Sequence, residues 1–575
     1  MKKFGKFISL VTALLLASAM CCFAAENESN LDEQLKLADD ITKETIVGPG
    51  SVQVITGKDI LMSFGATARI IPTSESDWDF GVSDSNAVKS GGLMYGGLRG
   101  NFFKAHNNES GNVQDSYIRT EAKLYFNAMP KDRTWSFYAA LEFDRPLDTG
   151  SVDSRGGKTN DSSNFGLERL HLTYALPMNM RFHAGWDIWH LDAFEAASMV
   201  YGDDNPGFWI TGENESISYN VGYFKLMEND FQNSIPEMNA AEEGADNDRD
   251  LYAGYVTWQL NDTNKIQFLG AYDRIRDVVA NDLAAALGSP FGIAGDTPDT
   301  DSYHAGAYWI GNFGALEVFT EAVYQFGSAD NTGLSSTVGP DRATPLEENY
   351  DINAYALAAD ISFEFKGKLT DFPLKPHLGF MYTSGDDDPY DDKLEGYNGV
   401  ENAQRFSARW GGENTIIGDT NLLLGTALYG YLPEFYGNGT PVVTGGLQNF
   451  SGLGNGRGDN PGLTLISAGI TVAPKRFLIF KTNINNFWWN EDIYVTNMVS
   501  GYDATVNGPK KVDAGYVGTE WDNELTLATS KHSFIKAQAA FFFPGEVIED
   551  LTEALTGESS DEMAMRLAAE FIINF

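Results

Sequence analysis

From Met565 to Phe575 the chain alternates strictly between two kinds of position. Met565, Leu567, Ala569, Phe571, Ile573 and Phe575 fall on one face, and Arg566, Ala568, Glu570, Ile572 and Asn574 on the other. A repeat of two residues is that of a β-strand, whose side chains point alternately to opposite sides of a sheet. The pattern recurs upstream. In Asp115 to Ala128, Ile118, Thr120, Ala122, Leu124 and Phe126 oppose Tyr117, Arg119, Glu121, Lys123 and Tyr125. In Arg133 to Arg145, Trp135, Phe137, Ala139, Leu141 and Phe143 oppose Tyr138, Glu142 and Asp144, and further on Arg181, His183 and Asp187 oppose Phe182, Trp186 and Ile188.

The connections between such segments alternate in length. Short turns are read at Met129 to Asp132, Pro177 to Asn179, Glu213-Asn214, Asn261 to Asn264, Gly311 to Gly314, Lys366 to Pro373, Pro474 to Arg476 and Ser530 to His532. Between them lie long polar stretches: Gly81 to Gln114, Pro146 to Asn164, Trp189 to Asp203, Glu228 to Asp248, Asp277 to Asp301, Gly327 to Glu348, Gly385 to Pro461, Asn490 to Lys511 and Pro544 to Asp561. Short turns on one side and long loops on the other mark a transmembrane antiparallel up-and-down β-barrel. The segments number about eighteen, an even count that leaves both termini on the short-turn side. A hairpin inside the Gly385 to Pro461 loop, or a strand over Leu93 to Phe103, would change that count.

The N-terminus agrees with export. Lys2, Lys3 and Lys6 precede an apolar run from Phe7 to Ala19 and then small residues, the build of a secretory signal peptide. The expected division is a signal over 1–24, a periplasmic segment over 25–60 and an outer-membrane barrel over 61–575. Cleavage one residue later is the alternative. Leu31, Leu35, Ala38 and Ile41 recur at helical spacing and predict a short amphipathic helix, in the periplasm or plugging the barrel mouth, before Gly48-Pro49-Gly50 breaks the chain. Both cysteines, Cys21 and Cys22, leave with the signal, so the mature chain has neither disulfides nor thiolate metal ligands.

No later stretch has about eighteen consecutive apolar residues, so no membrane helix is expected. A mean hydropathy of -0.26 is no objection, because a barrel hides only alternate residues in lipid. The apolar residues of such a cylinder need not form a compact interior. The formal charge is -40, and loss of the signal's three lysines makes the mature chain more acidic still. That balance excludes nucleic acid as a partner. Acids crowd into the loops, as at Asp386, Asp387, Asp388, Asp391 and Asp392, where they make a solvated surface or a field that attracts cations.

Charges cost about 2–4 kcal/mol on the lipid face at mid-bilayer, so the charged face of each strand is the inner one. A lumen this wide is an aqueous channel unless loops fold inward. Its candidate lining is Arg69, Arg119, Lys123, Arg169, Arg181 and Lys536 for cations, Glu121, Glu142, Asp144, Asp187, Glu520 and Asp522 for anions, with His171 on the same wall. Opposed charges across a narrow pore select small polar solutes or ions. The Gly385 to Pro461 loop, which holds the apolar run Leu422 to Phe435 and the glycine-rich Gly445 to Gly458, is expected to enter the lumen and narrow it; the alternative is an external cap.

Other chemistry is sparse. Asp386, Asp388 and Asp391, or Asp246, Asp248 and Asp250, offer oxygens to a loop-bound Ca²⁺, but neither run has the Gly and distal Glu of an EF-hand. No other cofactor is expected. Seven histidines are scattered and no G-x-S-x-G elbow occurs, so an enzyme is not expected. Phe571, Ile573 and Phe575 form the terminal signal that the barrel-assembly machinery would read. Lipid or lipopolysaccharide surrounds such a barrel, and a homo-oligomer is open.

Tyr382 to Asp392 (YTSGDDDPYDD), Gly515 to Leu527 (GYVGTEWDNELTL), Phe541 to Glu546 (FFFPGE) and the closing Glu570 to Phe575 (EFIINF) resemble alginate-export-type outer-membrane porins, most clearly over Pro376 to Phe575. The resemblance implies an eighteen-stranded barrel. It also implies a pore wall rich in Arg and Lys, which here Glu121, Glu142, Asp144, Glu520 and Asp522 offset. Three readings follow: a passive porin, a polysaccharide export channel, and a sheath around a separate cytochrome.

Overall fold

In the computed structural model of the protein, the alternating segments become strands of 7 to 17 residues that pair antiparallel with their neighbours in sequence. The structure describes residues 52–55, 59–77, 80, 114–146, 166–191, 199–203, 205–227, 249–276, 299–330, 347–365, 372–388, 390–397, 399–402, 410–411, 461–495 and 510–574. The barrel strands are β1 (Ile60–Ser76), β2 (Gln114–Pro130), β3 (Trp135–Pro146), β4 (Gly166–Leu176), β5 (Met180–Trp186) and β6 (Pro206–Glu213). Then come β7 (Ile217–Met227), β8 (Arg249–Asn261), β9 (Asn264–Ile275), β10 (Asp299–Phe313), β11 (Leu316–Asp330) and β12 (Tyr350–Phe363). The last third holds β13 (Leu374–Thr383), β14 (Leu463–Lys475), β15 (Leu478–Trp489), β16 (Gly515–Ser530), β17 (Ser533–Pro544) and β18 (Ala564–Asn574).

β18 returns to β1, with Ser76 opposite Met565 and Thr67 opposite Asn574, and this pairing closes the ring. Closure matters because an open edge would leave a row of backbone groups without partners, which hydrocarbon cannot supply. Past the end of β18, the short strand Val52–Ile55 takes over the free edge of β1 along Leu61 to Phe64. The first barrel strand begins at Ile60. The signal peptide, the expected N-terminal helix, Leu93 to Phe103 and Phe575 lie outside the described residues.

The outer face is apolar. Phe64, Leu124, Leu170, Phe268, Leu378 and Ile573 are all exposed, which in water would be a liability and against acyl chains is not. Towards the long-loop end Tyr223, Tyr252, Tyr272 and Tyr303 stand side by side on successive strands, with ring centroids 5.1, 5.9 and 4.6 Å apart. Their rings give an apolar body with a polar tip, the character of an aromatic girdle. The Tyr223 hydroxyl donates to Asp250.

The inner face is not merely wet. Phe224, Leu251, Ala354 and Leu465 on the wall are buried together with Trp189, Leu191, Tyr201, Tyr397, Val400 and Trp410 from loops, in one apolar cluster. The described parts of the connections at 189–203 and 385–411 thus fold inward and pack a core against the wall, as burying several large apolar side chains favours at about 1.5–3 kcal/mol each. The Pro544 to Asp561 connection holds a helix, α1 (Glu546–Thr556), whose Val547, Ile548, Leu551 and Ala554 join the cluster. Its C-terminus is closed by Gly557 at φ 80°, a conformation that favours glycine, whose N–H donates to the Glu553 carbonyl.

Candidate functional site

One polar stretch of the inner wall runs from β17 through the closing seam to β6. Arg69 on β1 lies between two carboxylates, bonding Glu570 on β18 and Glu121 on β2 (Nη1 to Oε2, 2.6 Å). Lys536 approaches the other Glu570 oxygen at 3.3 Å. One row along, Lys123 joins Glu142 at 3.1 Å and Glu168 at 2.9 Å. Each cation sits between acids on neighbouring strands because the antiparallel register sets Arg69 opposite Glu121 and Lys123 opposite Glu142.

Glu168 did not emerge from strict alternation, which turns it outward beside Arg169. The register slips between Ala140 and Leu141 where β3 meets β4, so one extra residue is inserted and both Glu168 and Arg169 reach the interior. Arg169 is buried, 3.9 Å from Asp187 and 4.0 Å from Glu168. Next to it His171 Nδ1 lies 3.0 Å from Asp187, and its ring stacks on Tyr138. His183 stacks on Trp209 and bonds the hydroxyls of Thr173 and Thr211, both at 3.0 Å.

Of the other predicted lining residues, Arg119 is half-buried on β2 opposite Ile71, and Arg181 is exposed beside the short turn into β5. Asp144 takes the strand position opposite Glu121. Glu520 and Asp522 are fully buried on β16, four strands round the ring from Lys123 on β2.

The inward loops are tied to this wall by polar bonds that the sequence does not show. Arg249 on β8 grips Asp273 on β9 with two bonds, 2.9 and 2.7 Å, and donates to the Val400 carbonyl at 2.9 Å. Tyr397 donates to the Met199 carbonyl, joining two loops. Trp410 donates from Nε1 to Asp360 at 2.8 Å, and its carbonyl accepts from Asn485. The indole has room because residue 379 is glycine; a Cβ there would stand 2.4 Å from Trp410 Nε1. The described part of the Gly385 to Pro461 loop therefore packs against the inner wall; Leu422 to Phe435 and Gly445 to Gly458 lie outside the described residues.

The acidic run at Asp386 works as turn scaffolding. Asp386 accepts the backbone N–H groups of Asp388 (3.2 Å) and Glu395 (2.8 Å), and Asp388 and Asp391 accept those of Tyr390 and Lys393. These oxygens cap turns. Of the alternative run, Asp250 instead pairs with Lys225 and Arg274, while Asp246 and Asp248 lie outside the described residues. Burial lifts the Asp386 carboxyl to about 7, against the opposing pull of its backbone donors. A carboxyl that holds its proton more tightly when folded favours the fold fully at low pH, and loses that advantage as pH rises from about 4 to about 7. Hydrogen exchange, corrected for its intrinsic pH dependence, is expected to show Asp386 to Tyr397 better protected at pH 4 than at pH 8. Asp386→Asn should flatten the difference, and equal protection in the native chain would refute it.

No family model and no curated protein matches the chain, so the resemblance to alginate-export porins rests on the motifs alone. Solved structures of similar layout include Acinetobacter baumannii OccAB4 (11% identity, 89% of this chain and 98% of that chain, TM-score 0.43). A BenF-like porin from Pseudomonas fluorescens Pf-5 has 10% identity over 89% of this chain and 99% of its own, with a TM-score of 0.42. Pseudomonas aeruginosa OccK5 (OpdH) has 11% identity over 89% and 98%, with a TM-score of 0.39.

Proposed function

We propose that this protein is an outer-membrane channel through which small hydrophilic solutes or ions diffuse passively, along a charged wall narrowed by inward-folded loops. The observation that carries the reading is the two-sidedness of the closed ring. Its outside is dressed for hydrocarbon, and its inside carries a ladder of paired charges from Glu570 to Asp187. Charges held in fixed pairs order water and polar solutes without trapping them. The secretory start of the sequence and the hydrocarbon-suited exterior both support an outer-membrane address. Lipid or lipopolysaccharide and the barrel-assembly machinery are the partners this implies.

Planar-bilayer recording with purified protein tests the reading. Stable unitary currents are expected, with weak cation selectivity in a KCl gradient set by the acidic loops. Removing one wall cation, Arg119→Ala, should move the reversal potential further towards that of K⁺. An unmoved potential would take Arg119 out of the conduction path, and absence of any unitary current would sink the channel reading itself.

A further inference from the structure

Alternate residues of β15 and β16 turn outward, and the register arranges them in rows. Phe480 lies beside Leu525, Thr482 beside Asn523, Ile484 beside Trp521 and Asn486 beside Thr519. The intervening residues Asn483, Asn485, Glu520 and Asp522 are buried on the inner side, while Ile484 and Trp521 are 46% and 43% exposed. Two of these outward rows are polar. The Thr482 hydroxyl donates to Asn523 Oδ1 (2.9 Å) and accepts from the Trp521 indole N–H (3.0 Å). The Thr519 hydroxyl donates to Asn486 Oδ1 (2.6 Å).

The same rows are apolar on the neighbouring strands. Pro376 and Ile470 lie on one side of Thr482 and Asn523, and Ala539 and Leu567 on the other. Phe380 and Ile466 lie on one side of Asn486 and Thr519, and Phe543 on the other. Thr482 is four residues from Leu478, where its strand leaves the short turn, and Tyr272 of the girdle is eight from Asn264. The row of Thr482 and Asn523 therefore sits near mid-depth in the hydrocarbon. Among the described residues, Asn523 is the one side-chain amide turned outward at that depth. Its bond from Thr482 is one of several that an amide can make, and lipid supplies none.

We infer that the outward face of β15 and β16 is the interface of a dimer of this chain, formed about a two-fold axis along the membrane normal. Acyl chains carry no donor or acceptor at mid-depth, so a polar row there is matched by protein and not by lipid. Its chemistry selects a second copy: amides and hydroxyls both donate and accept, so the patch is complementary to itself. An axis along the normal brings equal depths together. Each polar row then meets its own copy, with Ile484 and Trp521 packed between the two rows. One self-complementary patch closes as a pair, whereas a ring of three needs a second, different patch. The interface depends on the barrel lying in a bilayer and not on what its lumen conducts.

Cysteine cross-linking in isolated outer membranes tests the location, in a chain whose Cys21 and Cys22 are replaced by serine. On oxidation Ile484→Cys should give a disulfide-linked dimer. Val256→Cys, on the outer face of β8 and 43% exposed in the native chain, should give none. Sedimentation equilibrium in density-matched detergent tests the chemistry. Asn523→Leu should raise the dimer dissociation constant by about tenfold or more, because the amide is lost from both copies at once. Leucine suits a lipid-facing position, so this variant should fold and resist heat at least as well as the native barrel. Asn486→Leu, in the upper polar row, should act in the same direction. A native chain recovered singly, as a trimer, or joined to a different membrane protein would overturn the assignment. So would linkage at Val256→Cys as efficient as at Ile484→Cys, or a dissociation constant unmoved by both leucine variants.

Discussion

Replacing Arg69 with Met is expected to loosen the barrel at its closing seam by about 3–5 kcal/mol, the scale for breaking a buried ion pair from one side. Arg69 bridges β18 and β2 through β1, and Glu570 has only 1% of its side chain exposed. Without the guanidinium, Glu121 and Glu570 face each other across β1 as neighbouring negative charges. Lys536, 3.3 Å from Glu570, offsets part of the loss, which places the result at the lower end of that range. Heat-modifiable migration in detergent gels reads it directly: the variant should convert to its unfolded form at a lower temperature. Arg69→Lys should recover part of the difference, because a single ammonium can satisfy one acid but not both in the same geometry. A conversion temperature equal to that of the native protein would mean the seam is held by its backbone ladder alone.

Replacing Trp410 with Ala should have a comparable energetic cost, about 3–5 kcal/mol, but a different consequence. The indole is fully buried and its N–H donates to Asp360, while the backbone carbonyl of Trp410 accepts from Asn485. Its removal leaves a cavity beside Gly379 and takes a donor from Asp360. The loss falls on the docking of one loop, while the strand ladder around the ring stays intact. The expected outcome is a barrel that melts almost as before, with a larger unitary conductance and faster proteolysis between β13 and β14. Unchanged conductance with unchanged proteolysis would show that other contacts, such as the Arg249 clasp on Val400, suffice to hold the loop inside.

Much of the ring was legible because a barrel imposes one rule on every strand. Leu124 and Glu121 can be assigned to opposite faces with no knowledge of their neighbours, and the eight short turns set where each strand ends. The rule fails where the chain breaks its own alternation. Glu168 enters the wall only through a slipped register, and a two-residue repeat cannot announce an inserted residue. α1 carried a helical signal in Val547, Ile548, Leu551 and Ala554, but it sat inside a connection classed by its length. The inner core was hidden for another reason. Phe224 and Leu251 occupy the face that elsewhere carries charge, and only the arrival of Tyr201, Val400 and Trp410 from distant loops explains them. Loop docking depends on pairings far apart in the chain, such as Trp410 with Asp360, and no local period encodes those.

The bond between Arg69 and Glu570 joins residues 501 positions apart. The first barrel strand must therefore wait for the last before its edge from Thr67 to Ser76 finds a partner. Folding can advance hairpin by hairpin, but the final step links the two extremes of the polypeptide and bears the slow kinetics of remote contacts. Until then both terminal strands offer unpaired edges that invite pairing with other chains. A truncation within β18 is expected to be far more harmful than a deletion of equal size within a loop.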